Sequence, residues 1–125
     1  SFSNAGEDSR EIYMSIKEAT QKWGTATFDA KKFKSGDAST RASMAVALVN
    51  SGKFIGRPIG EIEKELGRAD GYYVNDGIPA YLLTPDKLNG RKPSDSGDVW
   101  QLVFLPDKSW KTVEEIKIHK NCCYR

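Results

Sequence analysis

Apolar residues recur at helical spacing through the first half of the chain and at alternating, extended spacing in the second, with glycines marking the joins. Ile12, Ile16, Ala19 and Trp23 form one stripe of a helix that Asp8 or Ser9 can cap and Gly24 can close. Thr25 to Gly36 has no clean period, and Phe28 and Phe33 are expected to pin this stretch, as a connecting loop, to the core. A second helix starts at Asp37, or slightly later at Ser39 or Thr40, because these short side chains accept hydrogen bonds from unpaired amides. Met44, Ala45, Leu48 and Val49 give it a wide buried face, and Gly52 suits the left-handed conformation that closes a helix. After Phe54 and Ile55, Gly56 permits a reversal and Pro58 fits the first turn of a third helix. Ile59, Ile62 and Leu66 then point inward, and Gly67 stops it.

From Tyr72 the period becomes extended. Tyr72 to Val74, Asn75-Asp76-Gly77 and Pro79 to Leu83 read as a hairpin, since Asp-Gly supplies the positive φ angles of a tight turn. Thr84 to Asp98 is polar and rich in Asp, Gly, Pro and Ser, a surface loop. Val99 to Leu105 is the strongest strand, and Pro106-Asp107-Lys108-Ser109 turns the chain into a last strand from Trp110 to about His119. Ile116 and Ile118 face one way on it, with Glu115, Lys117 and His119 facing solvent on the other. The expected fold is therefore a single α+β domain over residues 1–125: a helix-loop-helix plus an extra N-terminal helix, packed on one face of a four-stranded antiparallel meander sheet. Residues 1–6 are expected to be disordered or a cloning remnant and take no part in this fold.

Composition narrows the function. With 38% apolar residues, three Trp, five Tyr and five Phe, the chain can bury a core. The formal charge is only +2 and the signs alternate, so Lys31, Lys32 and Lys34 read as a solvated turn and nucleic acid is not an expected partner. No apolar run approaches the ~20 residues of a membrane span. The two cysteines, Cys122 and Cys123, are adjacent and cannot close a long loop. With His119, the sole histidine, they make the sharpest metal hypothesis, but structural zinc sites want a fourth ligand, so no metal and no cofactor is expected. Glu61, Glu63 and Glu65 do not share a helix face, and the glycines at 52, 56, 60 and 67 lack the Gly-Lys-Ser/Thr ending of a phosphate loop. No catalytic residues emerge, and the chain reads as a non-enzyme.

The run Arg41-x-x-Met44, Leu48, Phe54-Ile55-Gly56, Ile59, Glu61-Ile62 and Leu66-Gly67 resembles the helix-loop-helix signature of small bacterial envelope proteins of the SmpA/OmlA type, which share a fold with the repeats of β-lactamase inhibitory protein. Ala80-Tyr81-Leu82, Trp100 to Phe104 and Val113 to Ile116 resemble that family's strands, so the likeness covers roughly residues 37–120. It implies a periplasmic or envelope-associated protein, secreted across the inner membrane, that works as an assembly factor or protein-binding module without catalysis. Two departures stand out: the chain has no N-terminal lipidation cysteine, and the first helix lies outside the shared region.

Aromatic residues are the best functional lead from the residues themselves. Tyr72, Tyr73, Tyr81, Trp100 and Trp110 all fall in the strand half, and because strand neighbours alternate faces, not all can lie under the helices. Tyr72, Tyr73, Tyr81 and Trp100 are the expected protein-binding residues, lining an open sheet face with an unidentified protein partner. Such a protein would be an inhibitor or immunity protein, or an assembly factor. A small-ligand or metal-binding domain is the alternative.

Overall fold

The computed structural model describes residues 13–73, 77–84 and 99–120. These form β1 (Tyr13–Met14), α1 (Ile16–Trp23), α2 (Ala30–Ser35), α3 (Ala38–Ser51), α4 (Ile59–Leu66), β2 (Ala80–Leu82), β3 (Trp100–Pro106) and β4 (Val113–Lys120). The class is α+β, and the strands make one antiparallel four-stranded sheet in the order β1-β4-β3-β2.

The helix starts follow local side-chain chemistry. Ser15 caps α1 by accepting from the Glu18 amide at 3.0 Å, Asp29 caps α2 by accepting from Lys32 at 3.1 Å, and Asp37 caps α3 by accepting from Thr40 at 2.9 Å. The bond to Thr40 holds the Asp37 carboxyl below its usual pKa. Gly52, at φ 64°, closes α3 in the left-handed conformation expected of it.

Three expectations change. The first helix begins at Ile16, because Tyr13 and Met14, within the span expected to be helical, are extended and pair with His119 and Ile118 of β4. This buries Met14 on the helix side of the sheet while Tyr13 stacks on the opposite side, a division that only an extended backbone allows. The stretch read as a loop contains α2, six residues long, too short to show a period but seeded by the Asp29 cap and buried Phe33. Among the described residues the fourth strand of the sheet is β1; of the expected strand Tyr72 to Val74, Tyr73 makes a single bridge and Val74 lies outside the described residues. Asp8, Ser9 and Ile12, the hairpin residues Val74 to Asp76, the stretch 85–98 and both cysteines lie outside the described residues.

The register sets Tyr81, Leu102, Ile118 and Met14 side by side on one face, with Phe104 beside Ile116. These residues and Phe33, Ala45, Leu48, Phe54, Ile62 and Leu66 from the helical half form a single core. Within it, Phe28, Phe54, Phe104, Tyr81 and Phe33 make a closed circuit of ring contacts with centroids 5.6, 6.1, 5.8, 5.4 and 6.1 Å apart. Most are edge-to-face, a geometry worth roughly 0.5–1.5 kcal/mol per pair beyond area burial.

Buried Arg41 ties the helices to β2. Its Nε donates to the Leu82 carbonyl at 3.1 Å, one Nη to the Gly36 carbonyl at 3.2 Å, and the other to Asp70 at 2.6 Å. Asp70 in turn accepts from the Leu82 amide at 2.9 Å. Both backbone groups of Leu82 are thereby satisfied by side chains, which protects the sheet at an edge strand.

Candidate functional site

The four aromatic residues expected to line one open surface lie on both sides of the sheet. Tyr81 is fully buried in the helix-side core, where its hydroxyl donates to the Gly67 carbonyl at 2.7 Å. Burial drives its phenol well above the usual pKa. Trp100 shares the face of Leu102 and Phe104 and packs against the same core. Tyr72 and Tyr73 lie on the opposite face, half-buried.

That opposite face is not the wet surface expected. Ala80, Gln101, Val103 and His119 on it are 1%, 0%, 0% and 2% exposed. The segment after Asp70 crosses it and is held by Gln101, whose amide oxygen accepts from Tyr72 N at 2.6 Å while its Nε2 donates to Tyr72 O at 2.9 Å. Gly71 N also donates to the Ala80 carbonyl at 2.8 Å. A Cβ at Gly71 would sit 3.0 Å from that carbonyl and collide with the Gln101 amide oxygen, so only glycine permits this approach. Tyr73 and Ile78 then pack over Ala80 and Val103.

His119, expected in solvent, is enclosed between Tyr13 and Tyr73, with ring centroids 4.6 and 4.5 Å away. Its Nδ1 lies 2.6 Å from the Lys120 carbonyl. Burial lowers its pKa, since a charged imidazolium is costly there, and nearby Lys117 acts in the same direction. The Tyr73 phenol is pushed up to about 12 by burial and by the neighbouring Tyr13 hydroxyl. Among the described residues there is no group of three or more His, Cys, Asp or Glu side chains placed to hold a metal ion.

A different aromatic residue is presented to solvent. Trp110 is 52% exposed and adopts φ 63°, the sole positive φ among described non-glycine residues. The bend that carries it is organised by Asp107: Oδ1 accepts from Ser109 Oγ at 2.8 Å and from Lys111 N at 3.1 Å, and Oδ2 accepts from Thr112 Oγ1 at 3.0 Å. Main-chain bonds from Asp107 N to Thr112 O and from Trp110 N to Asp107 O close it further, at 2.9 and 3.0 Å. These bonds hold the Asp107 carboxyl at about 2, with the Ser109 hydroxyl contributing most.

The far side of the bend is anchored too. Ile59 N donates to Lys111 O, Val113 N to Arg57 O and Gly56 N to Val113 O, at 2.9, 2.8 and 2.8 Å. Lys108 and Lys111, both exposed, belong to the same bend. Alternation alone begins the last strand at Trp110 and so treats this residue as one more strand aromatic. The available signal is the spacing Asp107, Ser109, Lys111, Thr112, which offers one carboxylate several nearby donors and extends the turn by three residues.

No protein-family model matches the sequence, no curated protein matches it, and no solved structure matches its fold.

Proposed function

We propose that this chain is a non-catalytic protein-binding domain of the bacterial envelope, of the inhibitor, immunity or assembly-factor kind, and that it engages its partner through the Trp110 turn. The observation that carries the reading is the combination of exposure and conformation at Trp110. A bulky side chain at positive φ costs roughly 1–2 kcal/mol, and persists only where the surroundings over-determine it. Here Asp107 does so, while the indole itself returns little burial to the fold. A rigid, half-exposed tryptophan offers a partner large contact area with little rotamer entropy to lose, and Lys108 and Lys111 favour an acidic surface around it. The envelope location rests on the family resemblance of residues 37–120.

The test is retention of a partner by immobilised domain from an envelope extract, followed by calorimetry with the purified partner. Wild type should retain it, and Trp110→Ala should bind it at least ~30-fold more weakly, the usual loss for a central aromatic anchor. Equal affinity for wild type and Trp110→Ala would overturn the reading.

A further inference from the structure

Among the described residues, His119 is the only basic side chain buried on the second face of the sheet. Its Nδ1 faces the Lys120 carbonyl at 2.6 Å. A carbonyl only accepts, so Nδ1 carries the hydrogen of the neutral ring and a further proton goes to Nε2. The two rings that enclose it are not held alike. Tyr73 follows Tyr72, whose amide and carbonyl are both bonded by Gln101. Tyr13 belongs to β1, a strand of two residues.

The groups around the imidazole disfavour a positive charge on it. Lys117 lies on the same face of β4, with Nζ 4.5 Å from the centre of the Tyr13 ring that also touches His119. Glu115, the next residue of that face, is already bonded to Lys117 at 3.1 Å. β3 presents neutral Gln101 opposite His119, and β1 and the crossing segment present the phenols of Tyr13 and Tyr73. We infer that the docking of β1 is pH-gated: Tyr13–Met14 stays on β4 while the His119 ring is neutral and is released as that ring becomes an imidazolium. Release opens His119 and the β4 edge at Ile118 to solvent, so an inner strand becomes an edge strand there. Burial first, and Lys117 after it, hold the pKa of the docked ring below 6.5, and a ring freed by undocking regains its ordinary affinity for a proton. Undocking is therefore favoured as pH falls below 6.5. None of these residues belongs to the Trp110 bend, so the inference is independent of the partner-binding reading.

Two amides report the event. Leu83 N donates to Trp100 O and Phe104 N to Pro79 O, so Trp100, Leu102 and Phe104 turn their backbone groups to β2. Alternation turns those of Gln101 and Val103 to β4, where His119 and Lys117 meet them, and the Ile118 amide faces Met14 of β1. Ile118 thus senses β1, and Val103, in the middle of the sheet, senses loss of the whole fold.

The experiment is native-state hydrogen exchange of the full chain, followed by NMR between pH 7.5 and 5. The protection factor of Ile118 should lie at least ~100-fold below that of Val103 throughout, which marks an opening separate from global unfolding. Below pH 6.5 it should fall by up to about tenfold per pH unit, and in His119→Phe it should stay flat. Equal protection of Ile118 and Val103 at every pH would overturn the inference, since β1 would then leave only with the whole fold. Protection of Ile118 that is independent of pH in wild type, or that falls as steeply in His119→Phe, would overturn it too. The wild-type comparison decides by itself if His119→Phe does not fold.

Discussion

Asp107 makes the Trp110 bend possible and also marks it electrostatically. Its folded pKa of about 2 is below the ordinary 3.8, so its contribution to stability is complete above pH 3.8 and is lost as pH falls through that value toward 2. Denaturation in urea at pH 5, 3 and 2 should show a steeper acid loss for wild type than for Asp107→Ala, which should also start less stable. His119 works in a separate window. Burial lowers its folded pKa below 6.5, so the neutral ring stabilises the fold above pH 6.5 and that stability declines as pH drops below it. Melting temperature should fall between pH 7 and 5 in wild type and be flatter there in His119→Phe.

Residue-level roles are legible in the sequence where chemistry is local and lost where it is not. Asp37 as a cap and Gly52 as a left-handed stop are readable because each acts on its own few neighbours. The burial of His119 is not, since it depends on Tyr13 and Tyr73, both far away along the chain.

Elements follow the same division. The long α3 and the strands β3 and β4 announce themselves by period, because each has enough residues to repeat one. β1, of two residues, and α2, of six, do not, and tertiary contacts decide them. The segment Gly71–Tyr73 is the clearest case. Its sequence is compatible with a strand, yet Gln101 captures both main-chain groups of Tyr72 and lays the segment across the sheet. Replacing Gln101 with Leu should cost about 1–3 kcal/mol in urea denaturation, since those two bonds are lost in a buried setting. Tyr73 should then become more accessible, which a spectrophotometric tyrosine titration reads as a phenol pKa falling back from about 12 toward 10. An unchanged titration would mean that Gln101 does not position the segment.

At the scale of the whole molecule, one sheet separates two unlike interiors. The helix side holds the aromatic circuit and the aliphatic core; the other holds Gln101, His119 and a small apolar cluster beneath Tyr73 and Ile78. With Ala80, Val103, Gln101 and His119 enclosed, the centre of that second face is not available as a binding surface, and the proposed site lies at an end of the sheet instead. The proposed place is the Trp110 bend where β3 turns into β4. Among the described residues no helix is long and apolar enough to cross a membrane.

The most direct measurement is the unfolding free energy of Trp110→Gly beside that of Phe104→Ala. If the indole is held for a partner, Trp110→Gly should lie within about 1 kcal/mol of wild type, because relief of positive φ offsets the modest packing the indole gives the fold, whereas Phe104→Ala should lose about 3–5 kcal/mol as a core truncation. A loss for Trp110→Gly comparable to that of Phe104→Ala would show that Trp110 serves the fold itself and would contradict the account.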